Sequence, residues 1–270
     1  MSDLRIFSYL PNPRIWKATI AARLCGVDVE VRGSSPKDLQ SWLWDFDAHP
    51  LSDNDLETSA NTQTGKVGFT GTLHKTAAFM DAHPFGAVPA AFSPDGKTGI
   101  FESNSIMRAV ARLGEKRFPL YGRDAYEASR IDGFLDASLV FARDSQIYLL
   151  SLISATVTPE IHSRMRDGFK VYLGGINQAL SPDRDFLIGH TVTLADIGFV
   201  AELALFSNEK ARPGELIKKG LEPILHYGID AEFPMAFAHF AGLSKHAAFA
   251  PDIEPYLKKI ESSRAAHPNR

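Results

Sequence analysis

Three short stretches hold residue types that can do chemistry. The first is Ser8-Tyr9-Leu10-Pro11-Asn12-Pro13, which places small polar groups just ahead of a helix. A helix start offers unpaired N–H donors and the positive end of the peptide dipole, so an anion such as a thiolate is stabilised beside it. Ser8, Tyr9 and Asn12 are the candidate donors to such an anion, with Ser8 and Asn12 favoured because strand alternation turns Tyr9 away from Ser8's side. The second stretch is Val88-Pro89. Proline cannot donate to a strand ladder, so it belongs at a strand start or in a cis bond, and a Val88 backbone left open can pair with a peptide-like ligand. The third is Glu102-Ser103-Asn104, where Ser103 can cap a helix whose first N–H groups bind a carboxylate and Glu102 can answer an ammonium. Each stretch also has a plainer reading: Ser8 as a strand residue, Asn12 and Ser103 as caps only, Pro89 as an edge-strand proline.

Other chemistries find little support. The nine histidines show no HExxH or CxxC-type spacing, so no metal is expected. Neither GxSxG nor GxGxxG occurs, against a serine hydrolase or a dinucleotide-binding dehydrogenase. Cys25, inside a helix and followed by Gly26, reads as a small packed residue.

The elements that must position these groups follow from periodicity. Leu4–Tyr9 reads as a strand, and Pro13 suits a first helical position because its missing N–H has no partner there anyway. Trp16, Ile20 and Leu24 share a helical face that Gly26 ends, and Val27, Val29 and Val31 alternate with charged residues as a half-buried strand. That is a βαβ unit with parallel strands. Residues 33–84 have no clear period and read as part short helix, part surface insertion, with Trp42, Trp44 and Phe46 leading into a Thr/Asn/Gly-rich section, Ser52 to Thr72. Pro94-Asp95-Gly96 between Val88–Phe92 and Gly99–Phe101 predicts a hairpin, and Ile106, Val110 and Leu113 predict the helix after it.

After Pro119 the pattern is helical throughout: Ala125–Ala155, Pro159 to about Leu180, Gly214–Gly228, Ala231–Ala241 and Asp252–Ala265. Thr193-Leu194-Ala195-Asp196 is a capping box, flanked by a Val192–Ile197 staple. The expectation is an α/β domain over 1–115, with an insertion at about 43–84, and an all-helical domain over 123–270.

The chain has 270 residues, 44% of them hydrophobic and 23% charged, which excludes wholesale disorder. A net charge of −3 without any Lys/Arg run argues against a nucleic-acid partner. No apolar run is long enough to span a bilayer, and the N-terminus lacks a signal-peptide layout because Asp3, Arg5 and Ser8 interrupt it. One cysteine forms no internal disulfide, so a reducing, cytoplasmic location is expected, away from membranes.

In order along the chain, SYLPNP, AVPAAF and IFESNSIMRAVARLG resemble the thioredoxin-like N-terminal domain of glutathione transferases. FLIGHTVTLADIGFVAEL is similar to the capping-box helix of that family's all-helical second domain. The resemblance implies a cis bond before Pro89 and a glutathione held by Val88, Pro89, Glu102, Ser103 and Asn104. It implies a thiolate activated by Ser8, Asn12 or Tyr9, and an apolar electrophile against Trp16, Trp42 or Trp44 between the domains. Within the family, FSYLPNPRIWKATIAA with FESNSI is similar to the transferase-like domain of the elongation factor one gamma subunit and to bacterial glutathione-dependent β-etherases of lignin-derived aromatic compounds. Asn12 resembles the asparagine of Ure2-like transferases, although Pro-Asn-Pro stands where that group has Pro-Asn-Gly. The insertion lies where the family's second helix meets glutathione, so those contacts do not transfer. The implied protein is a glutathione-dependent transferase of an apolar, aromatic substrate, with β-aryl-ether cleavage as the sharpest reading, that forms a homo- or heterodimer. The alternative is a non-catalytic transferase-like subunit that binds another chain.

Overall fold

A computed structural model of the chain describes residues 2–58, 62–65, 69, 71–182 and 184–266. It divides into two compact units, Met1–Phe118 and Pro119–Arg270.

The first unit is built on a central strand, β1 (Leu4–Phe7), followed by α1 (Pro13–Cys25) and β2 (Val29–Arg32). β1 pairs parallel with β2, so the βαβ reading holds. Asn12 caps α1, Pro13 is its first residue, and Gly26 closes it at φ 67, the left-handed conformation that glycine adopts without steric cost. Cys25 is buried, and burial pushes its thiol up, as befits a packing residue and not a nucleophile.

The insertion is a second sheet. Its members are β3 (Trp42–Trp44), β4 (His49–Pro50), β5 (Thr62–Gly65) and β6 (Gly71–Lys75), in the order β4-β3-β6-β5, with α2 (Asp53–Thr58) between β4 and β5. Part of the Thr/Asn/Gly-rich section lies outside the described residues. Trp44 fastens the second sheet to the first: its ring meets Phe7 edge-on at 5.4 Å, and its indole N–H donates to the Leu39 carbonyl at 2.9 Å. An aromatic of this size buries enough apolar surface to explain why so short a sheet is retained.

Helix α3 (Ala77–Ala82) leads into β7 (Ala90–Phe92), β8 (Gly99–Phe101) and α4 (Ser103–Leu113). β7 joins β1 antiparallel and β8 extends the sheet to the order β2-β1-β7-β8. The hairpin turn is tied by Asp95, which accepts from Ser93 Oγ at 2.7 Å and from the Lys97 N–H at 3.1 Å.

The second unit contains only helices and loops among its described residues: α5 (Ala125–Ile153), α6 (Pro159–Ala179), α7 (Leu194–Phe206), α8 (Pro213–Lys218), α9 (Ile229–Glu232), α10 (Pro234–Ser244) and α11 (Ala250–Ala266). Its core is aromatic, with Phe141 stacked on Tyr172 at 4.5 Å and Phe169 against Phe206 at 5.1 Å. The helix expected over Gly214–Gly228 is cut short at Lys218, because Gly220 turns left-handed at φ 65 and Pro223 cannot continue a helix. Among the described residues no helix is long and apolar enough to cross a membrane.

Helix α5 carries a pH-sensitive start. Asp124 accepts from the N–H groups of Tyr126 and Glu127, and Glu127 accepts from Arg123 Nη2 at 2.5 Å. That guanidinium holds the Glu127 carboxyl down at about 2, against an ordinary 4.5. A depressed carboxyl adds stability above its unfolded value and loses it as the pH falls toward the folded one. Glu127→Gln is therefore expected to be less stable than wild type at neutral pH, the gap closing between pH 4.5 and 2 in thermal melts. A gap independent of pH would mean that the ion pair has no part in it.

Candidate functional site

Register brings the three stretches together. Phe7, Ala90 and Phe101 form one row across the first sheet, with Arg32 of β2 beside Phe7. One step beyond that row, at the same sheet end, come Ser8, Gly33 and Glu102, which follow their strands, and Pro89, which precedes the antiparallel β7. Positions separated by up to about ninety residues in sequence thus become neighbours through strand pairing alone. Gly33 is required there: a Cβ on it would lie 1.7 Å from the Ser8 carbonyl oxygen. The Val88–Pro89 bond is cis, as the family resemblance implies.

At the α1 side, Asn12 does two things. Its Oδ1 accepts from the Arg14 N–H at 3.0 Å, which caps the helix, and its Nδ2 donates to Ser8 Oγ at 3.0 Å. Ser8 and Asn12 are 0% and 1% exposed, so the pair supports the helix start from beneath. Tyr9 is half-buried, packed against the aromatic cluster around Phe7 and Trp44.

At the α4 side, Glu102 holds φ 66 and ψ 125, a conformation rare for a residue with a side chain. Strain of this kind, on the order of 1–3 kcal/mol, persists where surrounding structure enforces it and concentrates at binding sites. Glu102 is exposed while Ser103 and Asn104 are buried behind it. Helix geometry leaves the first N–H groups of α4 without intrahelical partners, a natural seat for a carboxylate.

Lys17 was not among the expected site residues. It is 0% exposed, and its ammonium donates to Asn104 Oδ1 at 2.8 Å and to Ser103 Oγ at 3.5 Å. A buried cation thereby links α1 to the start of α4. The signal lay in the i, i+4 row Pro13, Lys17, Ala21, Cys25, a lysine in a stripe that is otherwise uncharged and wholly buried. Lys75 is a second such case. Its Nζ donates to the Gly86 carbonyl at 2.7 Å, tying β6 to the loop before Val88-Pro89, and burial pushes its pKa down.

The tryptophans fall mostly in the core. Trp16 and Trp44 are 5% and 1% exposed, whereas Trp42 is half-buried and stacks on Phe7 at 6.2 Å. Trp42 is the one of the three with ring surface left for a substrate.

No protein-family model matches the chain. A curated relative, elongation factor 1-gamma 2 of rice (Oryza sativa subsp. japonica), is 33% identical over 200 residues, 73% of this chain. Elongation factor 1-gamma 1 of rice is 33% identical over 135 residues, 49% of this chain. The chain spans only 43% and 31% of these two relatives. Among solved structures, a glutathione transferase from Methylobacterium radiotolerans, in complex with glutathione sulfonate, superposes with a TM-score of 0.61 at 17% identity, covering 93% of this chain and 94% of that one. The chain has the glutathione transferase fold. The sheet end holding Ser8, Pro89 and Glu102 lies in the first unit, and the second unit is the helical one.

Proposed function

We propose that the first unit binds glutathione and that the chain uses it to attack an apolar, aromatic electrophile, cleaving a β-aryl ether. The observation that carries this reading is the shared register of Ser8, Pro89 and Glu102, which sets two helix starts and an open strand backbone side by side. The Val88 backbone pairs with the tripeptide, the α4 N–H groups and Ser103 take the γ-glutamyl carboxylate, and exposed Glu102 answers its ammonium. Lys17, behind Ser103 and Asn104, adds positive field at the same carboxylate.

The start of α1 then lies nearest the sulfur. A free cysteine thiol titrates near 8.5, and each unit of lowering needs about 1.4 kcal/mol of preferential thiolate stabilisation. Ser8 and Asn12 are positioning residues in this scheme, since burial keeps them from solvent. The thiolate attacks the carbon bearing the aryloxy group. A C–S bond forms, the C–O bond breaks, and its electron pair leaves with the phenolate oxygen, which then takes up a proton. The aromatic side chains of the second sheet, Trp42 first, and the resemblance to β-etherases support an aryl substrate. The proposed setting is the cytoplasm, with a second transferase-like chain as partner, identical or different.

A second reading has its own support. The rice relatives bear the name elongation factor 1-gamma, and Ser8 and Asn12 are closed off, so the chain can be an association subunit without catalysis. Glutathione titration followed by a β-aryl-ether assay separates the two. The transferase reading expects saturable binding and release of phenol. Binding without phenol removes the substrate assignment, and no binding at all leaves the association role.

A further inference from the structure

His83 caps the end of α3, is 4% exposed, and starts the turn that leads to Val88-Pro89. Its N–H donates to the Phe79 carbonyl at 2.8 Å, and its own carbonyl accepts from the Gly86 N–H at 2.8 Å. The Gly86 carbonyl in turn accepts from Lys75 Nζ at 2.7 Å. A Cβ on Gly86 would come within 2.9 Å of Met80 Sδ and 3.2 Å of Lys75 Nζ, so the turn is closely packed from both α3 and β6. Val88 lies just beyond it in the chain.

The His83 imidazole sits among rings. It stacks on Phe101 at 5.2 Å and on Phe79 at 6.0 Å, and it meets Phe85 edge-on at 6.4 Å. Its Nδ1 is buried and has no hydrogen-bond partner among the described residues. An N–H at that position would be a buried donor without an acceptor, so the neutral ring keeps its proton on Nε2.

Charging the ring puts that unpaired donor in place and adds a cation to the neighbourhood of Lys75. The elements packed around His83 hold few other titratable groups. β6 carries His74 beside Lys75, and α3 carries Asp81, which is exposed. β8 and residues 84–88 carry none, and Glu102 follows β8. Burial, and the Lys75 charge with it, push the His83 pKa below its ordinary 6.5. Ring faces attract a cation, but burial and that repulsion outweigh the attraction.

We propose that His83 is a positioning residue of the glutathione site and works as a proton-operated latch. Neutral, it holds residues 84–88 in the turn that presents the Val88 backbone; charged, it leaves its aromatic seat and loosens that turn. This role rests on the glutathione reading and adds to it a dependence on acidity. By linkage, a proton that weakens ligand binding is itself bound more weakly once the ligand is present.

S-methylglutathione is the probe, because its sulfur carries no proton and thiol ionisation does not enter. Nuclear magnetic resonance of the His83 ring in the full chain, followed from about pH 8 to about 4.5, should give a midpoint below 6.5. Saturating probe should move that midpoint down by at least about half a unit, equivalent to affinity about threefold lower once His83 is charged. Calorimetry should show affinity falling through the same midpoint, beyond any fall shared by His83→Phe, which keeps a ring, does not titrate and retains Glu102. A midpoint at the ordinary value, none above about pH 4.5, no movement in a protein that binds the probe, or an equal fall in His83→Phe would each overturn the latch. A protein that gives no heat with the probe at any pH removes the glutathione reading, and amide protection of residues 85–88 then decides the latch. A loss of about tenfold or more through the midpoint upholds it, and unchanged protection overturns it.

Discussion

Asp196→Ala is expected to destabilise the second unit by about 3–5 kcal/mol, near the upper limit for single substitutions. The carboxylate of Asp196 is 0% exposed and is shared among four donors. Oδ2 accepts from the N–H and hydroxyl of Thr193, both at 2.8 Å, which is the return half of the capping box of α7. Oδ1 accepts from the Leu187 N–H at 3.0 Å and from His239 Nε2 at 2.9 Å, on α10. One side chain therefore fixes the start of α7, the loop before it and a second helix, α10. Alanine leaves two buried backbone N–H groups without acceptors, and each such group costs about 1–3 kcal/mol. Asp196→Asn keeps one acceptor oxygen but turns an amide N–H toward a donor, so it should fall between wild type and alanine. Thr193→Ala should cost only about 1 kcal/mol, the usual price of a lost cap. Differential scanning calorimetry reads the series, with Asp196→Ala melting on the order of 10 °C lower. A melt within about 2 °C of wild type would show that water or a rearranged loop replaces the carboxylate.

The legible parts of the chain are those whose reason is local. Asn12-Pro13 opens α1 and Gly26 closes it, Asp95-Gly96 turns the hairpin, and Thr193 with Asp196 starts α7, all through neighbours a few residues away. The second sheet was out of reach for the opposite reason. Its strands are two to five residues long, and β3 pairs with β6 through Leu43 and His74, partners brought together only by tertiary folding. Trp42 and Trp44 announced burial without saying against what. Pattern reading failed differently at α8, where Gly220 and Pro223 interrupt an amphipathic stretch that periodicity alone extends to Gly228. At the candidate site, residue types were readable but depth was not. Ser8, Asn12, Ser103 and Asn104 look like surface polar groups in sequence, yet all four are buried, and the lysine that links two of them was hidden by its charge. Polar residues below a site's surface obey the hydrogen-bond needs of two packed helices, which no single-strand or single-helix period encodes.

Asn12→Asp tests whether the start of α1 is where a glutathione sulfur comes to rest. The substitution preserves the cap, since a carboxylate oxygen can still accept from the Arg14 N–H, and that N–H with the helix dipole keeps the group ionised. It removes the donation to Ser8 Oγ and places a negative charge beside the site of a would-be thiolate. Like charges in a partly dry pocket raise the pKa of the second acid, so the bound thiol should titrate about one to two units higher than in wild type. Conjugation at neutral pH should then slow roughly 10- to 100-fold, because reaction follows the thiolate fraction. Affinity for glutathione should change by less than about threefold, as the proposed grip on the tripeptide is through Val88, Ser103 and the α4 start. Asn12→Ala serves as the comparison: it loses the cap and the donation but adds no charge, so it should cost about 1 kcal/mol of stability and shift the thiol less. Thiolate absorbance of the bound tripeptide against pH reads the shift, and near-ultraviolet dichroism confirms that each variant is folded. An Asn12→Asp protein that is folded, binds glutathione and ionises it as wild type does would move the sulfur away from α1. The remaining donor of the first stretch, half-buried Tyr9, would then be the group to examine.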